Sequence, residues 1–264
     1  MPLRSVFAKT VHDRRHGLLW WNLGIAVMTI ATMSVWPSVR DEYAKLVQNY
    51  PQALLAFFGI DKAGLGTAAG YLEAELFSFM VPLAFLAYMI AGSSATIAGE
   101  QETGTLELLL AQPVSRRRVA SEKFFGLCAS LAVIAAGFAA VVIVFSHVFD
   151  LRIAAPNIMA ATLSAYLLAV LFGAAALLAG CATGHRALAA GLAAGIAAAA
   201  YLLTSVGALV TGVKHFRPAS PFWWYSGHDP LRHGIEPLHA TLLIAVTAAL
   251  YIAALVTFER RDLT

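Results

Sequence analysis

Six long apolar runs alternate with shorter polar connections along the chain. They extend from about Gly17 to Trp36, Leu76 to Ala98, Phe124 to Val148, Ile158 to Ala182, Ala187 to Val213, and Leu238 to Phe258. Each reaches the roughly 20 residues that a helix needs to cross about 30 Å of hydrocarbon. The pattern predicts an all-α integral membrane protein with six transmembrane helices, read as one domain over residues 1–264. The first run is long for a signal-peptide core and no small-residue cleavage site follows it, so it is expected to be retained as a span.

The connections carry the remaining pattern. Residues 1–16 set Val6, Phe7 and Val11 among Arg4, Lys9, Arg14 and Arg15, as in a basic amphipathic helix lying on a membrane surface. A basic tail that only sets orientation is the simpler reading. In residues 37–73, Asp41 to Tyr50 reads as helix, Pro51 interrupts it, and Ala53 to Phe58 is a short apolar stretch. A glycine-rich link follows through Gly64, Gly66 and Gly70. Glu73 and Glu75 stand at the mouth of the second span, either as a candidate extracellular gate or as interfacial residues facing water or a neighbouring helix.

Residues 99–123 are the most informative. Leu106, Leu109 and Leu110 fall at i, i+3 and i+4, one face of a helix too short to span. Gly104 permits a sharp turn before it, and Pro113 ends it. Ser115 is placed to cap the next helix. Acidic residues precede this helix and three arginines follow it. Such an element suits a groove on a cytoplasmic partner, and equally suits a plain amphipathic connector. Residues 214–236 cluster Phe216, Phe222, Trp223, Trp224 and Tyr225 between prolines, which predicts an interfacial or re-entrant segment. His228, Asp229 and His233 lie there too. Their spacing matches no zinc pattern and no third firm ligand is evident.

Composition narrows the class. The 264 residues are 59% hydrophobic and 12% charged, against ~25% charged in soluble domains. That excludes a water-exposed globule and a disordered chain. The net charge of +3 says little until it is sorted by segment. With the N-terminus inside, 11 of the 18 basic residues lie on inner segments and 7 on outer ones, while acidic residues split 7 to 8. The positive-inside rule then places both termini in the cytoplasm.

Chemistry is sparse. The spans hold almost no ionisable groups at their centres, whereas ion-coupled carriers keep them for the coupling ion. Driving energy is therefore expected from elsewhere. Asn22, Ser78, Ser130, Ser164, Tyr166, Thr204 and Ser205 supply scattered polarity, which usually bonds across helices or to its own backbone. Gly180 to Gly184 and Gly191 to Gly195 have helix-packing spacing that arises easily in alanine-rich runs. No phosphate-binding Gly-x-x-x-x-Gly-Lys-Ser/Thr loop and no His-Glu-x-x-His helix occurs. Cys128 and Cys181 sit in apolar runs and suggest neither a disulfide scaffold nor a zinc site.

The stretch Gly99 to Arg118 resembles the cytoplasmic loop of permeases of the ABC type-2 exporter family. The matching residues are Glu100, Glu102, Gly104, Thr105, Leu106, Glu107, Leu108, Leu109, Pro113, Ser115 and Arg116. Lys123-Phe124, Gly70-Tyr71-Leu72, Glu75 to Met80, Pro82 and the closing Phe258 to Leu263 are similar to the family as well. The resemblance implies residues 1–16 as an elbow helix and about Thr103 to Gln112 as a coupling helix that docks on a separate ATP-binding subunit. It makes Glu100, Glu102, Glu107, Leu106, Leu109, Leu110 and their neighbours the expected contact residues. It also implies an extracellular re-entrant element at 214–236 and a homodimer of permeases with two ATPases in a bacterial inner membrane. ATP and magnesium belong on the partner subunit, and no cofactor, metal or nucleic acid is expected on this chain. A membrane anchor that recruits a cytoplasmic protein without transport is the alternative. An enzyme has no catalytic set to stand on.

Overall fold

The computed structural model describes residues 6–48, 51, 67–106, 114–210 and 212–261, and all its regular structure is helical. A short helix, Val6–Asp13, precedes a break at Arg14, after which Arg15–Gln48 forms the first long helix. The second span is one continuous helical run, Ala68–Glu102. The third is Arg116–Val148, the fourth Ala155–Thr183, the fifth Arg186–Gly207 and the sixth Pro237–Arg260. Between the fifth and sixth lie a 3-10 turn, Lys214–Ala219, and two short helices, Pro221–Ser226 and Pro230–His233.

The six apolar runs are thus six helices long enough to span, but several boundaries differ from the hydropathy reading, the third helix for one beginning at Arg116 rather than Phe124. The first helix continues through Pro37 instead of stopping at Trp36. A long helix tolerates an internal proline where neighbours satisfy the freed carbonyl. The second helix begins at Ala68, not Leu76, because Thr67 caps it through the Gly70 amide at 3.1 Å and the chain stays helical through Glu73 and Glu75. The fifth ends at Gly207, and the Leu209, Val210 and Val213 amides make turn bonds beyond it.

The second helix contains two π-helical stretches, Glu73–Met80 and Ala95–Gly99. Pro82 lies just after the first and has no N–H to return to the turn before it. Widening that turn removes the clash its ring would make there. Glu73, Leu76 and Phe77 share the buried stripe of this segment, while Glu75 and Phe79 face outward.

The fourth helix is the centre of the bundle: 67% of its apolar window is buried, against 22% for the first and fifth and 17% for the sixth. Phe77, Phe85 and Phe138 meet edge-on between the second and third helices. The third helix also receives the first at Gly137, where an added Cβ would lie 2.1 Å from Asn22 Oδ1. The outward faces carry Leu19, Trp20, Leu23, Val133 and Ile252, as expected of helices solvated by lipid. Ser130, Thr162 and Ser164 donate to the carbonyl four residues back, so their hydroxyls satisfy themselves within the helix.

Candidate functional site

The basic end of the bundle gathers the starts and ends of five helices around residues 99–106 and 114–123. The second helix runs out through Glu100–Glu102. Thr103 then donates to the Gly99 carbonyl at 2.9 Å, and Gly104 turns the chain at φ 71°. That conformation is left-handed, which a side chain disfavours and glycine does not. Leu106 is only 2% exposed, so this leucine packs into the core beneath the turn. Glu107, Leu108, Leu109, Leu110 and Pro113 lie outside the described residues. The chain is described again from Val114, and Ser115 caps the third helix through the Arg118 amide at 3.3 Å.

The two flanks of this segment are tied together. Lys123, on the first turns of the third helix, pairs with Glu100 Oε1, while the Thr105 hydroxyl donates to Glu100 Oε2. Both charged side chains are largely covered, with 13% and 28% exposure. Glu102 accepts the Arg186 amide at 2.8 Å and lies 3.9 Å from His185, which fastens the start of the fifth helix. A carboxylate at a helix start also complements the free N–H groups there.

The arginines extend the lattice. Arg116 donates to the Arg261 carbonyl at 2.8 Å and lies 5.9 Å from the Phe258 ring centre, and Arg117 pairs with Glu259. Arg261 in turn reaches the Cys181 and Thr183 carbonyls at 3.1 and 3.3 Å, where the fourth helix ends in the left-handed Gly184. An end-of-helix guanidinium answers carbonyls that have no partner within the helix. The short N-terminal helix joins as well. Glu122 accepts the Phe7 amide at 3.0 Å and the Arg118 guanidinium at 2.7 Å, and Thr10 packs on Gly126.

The residues expected at a partner surface therefore divide. Glu100, Leu106 and Arg116 are held by the bundle itself, and Glu102 keeps a side chain 43% exposed while bonding the fifth helix. Gly104 and Thr105 are exposed at the turn. Sequence reasoning had no signal for Lys123 as the partner of Glu100, nor for Arg261 as the cap of the fourth helix.

The opposite end differs. Glu73 is 8% exposed, whereas Glu75 faces outward, so the two carboxylates do not share a wall. The Tyr225 hydroxyl donates to the Phe77 carbonyl at 2.6 Å, and Phe222 packs on Phe172 and Tyr201. These contacts seat helix Pro221–Ser226 among the second, fourth and fifth helices. Between the second and fifth helices lies an apolar groove of about 580 Å³, lined by residues including Phe79, Leu83, Ile90, Ala194 and Tyr201.

Six apolar helices, a lipid-facing exterior and a polar lattice at one end define a multi-pass helical membrane protein whose charged contacts concentrate outside its spans. The sequence profile of ABC-2 family transporter proteins matches residues 4–263, nearly the whole chain. The chain belongs to that family, and is a permease subunit of an ABC transporter, the membrane component that works with an ATP-binding subunit. No curated protein sequence matches it.

Proposed function

We propose that this permease is the membrane half of an ATP-driven exporter in a bacterial inner membrane, with its basic end and both termini in the cytoplasm. The excess of Lys and Arg at that end supports the orientation. Residues 1–16 act as the elbow helix, about 103–112 as the coupling helix, and 214–236 as the extracellular re-entrant element. ATP and magnesium reside on the partner subunit, and a second copy of this chain completes the complex.

One observation carries the coupling role. The segment 99–123 is bonded at both flanks to the rest of the basic end: Glu100 to Lys123, Glu102 to Arg186, Arg116 to Arg261, and Arg261 to the fourth helix. A push on the turn therefore moves the second to sixth helices as one body, and closure of the ATPases tilts that body around the pathway. The exposed part of Glu102, together with Glu107, contacts the ATPase, while Glu100 and Lys123 transmit rather than dock. The groove between the second and fifth helices faces the pathway between the two copies. Its apolar lining suits hydrophobic or amphiphilic cargo such as a drug, an antibiotic or a lipid.

Co-expression with the ABC ATP-binding subunit tests this. The double variant Glu102→Lys with Glu107→Lys is expected to lose most co-purifying ATPase while the permease remains folded. Unchanged co-purification and unchanged transport in vesicles would show that the docking assignment is wrong.

A further inference from the structure

At the end opposite the basic lattice, a second cavity of about 350 Å³ opens beside the short helices. It is polar where the groove is apolar. Glu73 from the second helix, Arg217 and Trp223 from the segment after the fifth, and Asp229 and Arg232 around the last short helix all line it. Three residues of its lining each hold a buried polar atom without a hydrogen-bond partner: Glu73 Oε2, Asp229 Oδ1 and Arg217 Nε. Buried polar atoms are ordinarily satisfied, so three orphans among the residues around one cavity call for an explanation.

Neighbouring groups do not provide it. Arg232 pairs with Asp229 through Oδ2 at 3.1 Å, which leaves Oδ1 over. The Arg217 guanidinium is stacked on the Trp223 ring at 4.4 Å, and its Nε finds no acceptor there. His233 turns its Nδ1 to the His228 carbonyl at 3.1 Å, and His228 lies 3.6 Å from Glu236. Glu73 itself is more than nine-tenths buried, on a stripe otherwise made of Leu76 and Phe77. A single water, which takes about 30 Å³, does not fill this space. A bare metal ion fits poorly as well, since no group of three or more His, Cys, Asp or Glu converges among the described residues.

The two kinds of orphan specify a complement. Carboxylate oxygens require a donor, best a charged one, and the guanidinium N–H requires an acceptor. We propose that this cavity binds a primary ammonium group carrying a nearby oxygen acceptor, an amino-alcohol head, with the ammonium on Glu73 and Asp229 and the oxygen at Arg217. Burial also lowers the Arg217 pKa from its ordinary value, so an acceptor there relieves a charge that the site desolvates. The Thr204 wall accommodates the carbon chain beside the head. The same head is found free in solution and at the surface of ethanolamine lipids. The inference takes from the exporter reading only the side of the membrane on which the site lies, and it holds for any role of the chain.

Purified chain without the ATPase, in nanodiscs of phosphatidylglycerol, isolates the site from transport. Ethanolamine, choline and ethylene glycol are titrated at matched ionic strength, read by tryptophan fluorescence and by melting temperature. Ethanolamine is expected to shift both signals. Choline lacks N–H donors and ethylene glycol lacks charge, so neither should act. Glu73→Gln is expected to weaken binding on the order of thirtyfold or more, the least that removal of one partner of a buried charged pair costs. Asp229→Asn gives a second, independent loss if Glu73→Gln fails to fold. Repeating the titration in discs containing phosphatidylethanolamine identifies the source. Loss of the ethanolamine response there assigns the site to the lipid head, and an unchanged response assigns it to a free amine. No response to ethanolamine in phosphatidylglycerol, an equal response to choline or ethylene glycol, or unweakened binding in both folded variants overturns the proposal. Loss of ATPase co-purification in the coupling variants leaves this result untouched.

Discussion

Glu100, Glu102, Glu122 and Glu259 at the basic end each meet a cation or an amide, whereas Glu73 and Asp229 at the opposite end each keep a buried oxygen without a partner. Both ends draw on the same residue types, so composition does not explain the contrast. Connectivity does. At the basic end, charges on separate helices face one another across closely packed helix ends, and each pair binds two elements. At the opposite end, short helices and a cavity separate the groups. A paired lattice resists relative motion of its helices, and an unpaired cavity invites a ligand. The first arrangement suits transmission of force, the second suits recognition.

The largest test of this contrast is the Glu100–Lys123 pair. Lys123→Met leaves Glu100 largely covered and without its cation, which costs about 3 kcal/mol. The melting temperature in detergent should fall clearly. Adding Glu100→Gln should recover more than half of the loss, because the charge that lacked a partner is gone. Without that recovery, the lysine contributes by packing rather than by pairing, and the basic end is not an electrostatic lattice.

Gly184→Ala comes next. Gly184 sits at φ 73°, and a Cβ there would lie 2.2 Å from Arg261 Nη2. The left-handed conformation alone costs about 1–2 kcal/mol with a side chain. Displacing Arg261 adds the loss of its bonds to Cys181 and Thr183. Thermal unfolding should show the loss, and Arg261→Ala in the same background should add little to it, since the two changes remove one contact.

These positions also show what the sequence could disclose. The spans were legible because each apolar run is long, and Ser115 was legible as a cap because a serine stands directly before a helical run. The helix ends were not, since Pro37, Glu73 and Glu75 interrupt hydropathy without ending the helix. Glu73 stands three and four residues before Leu76 and Phe77, with which it shares a buried stripe. The spacing alone could not tell a buried stripe from a lipid-facing one. The bond between Glu100 and Lys123 crosses a connection whose path no local pattern encodes, and the same is true of Arg116 with Arg261. Leu106 was readable as apolar, but whether it packs inward or presents itself to a partner depended on the turn at Gly104.

At the opposite end, Glu73→Gln should leave the melting temperature of the ligand-free chain close to that of the parent. A buried carboxyl oxygen without a donor contributes no bond to lose. This is the reverse of Lys123→Met. A loss comparable to that variant would mean that Glu73 is satisfied after all, and the contrast between the ends would narrow.

The smallest effect is expected at Asp150 and Arg152, in the connection between the third and fourth helices. Their carboxylate and guanidinium meet at 2.8 Å, a better distance than several contacts of the basic lattice, yet their side chains are 62% and 82% exposed. The hydrogen bond from Arg152 holds the Asp150 carboxyl below its ordinary pKa. A depressed carboxyl contributes stability above its unfolded pKa and loses it as pH falls through the folded one. Because the pair is fully solvated, salt screens that contribution. Arg152→Ala should therefore leave the melting curve at neutral pH unchanged, in low and in high salt alike. If it instead destabilises as much as Lys123→Met does, close pairing alone would govern stability in this protein, and burial would lose its place as the variable that separates the two ends.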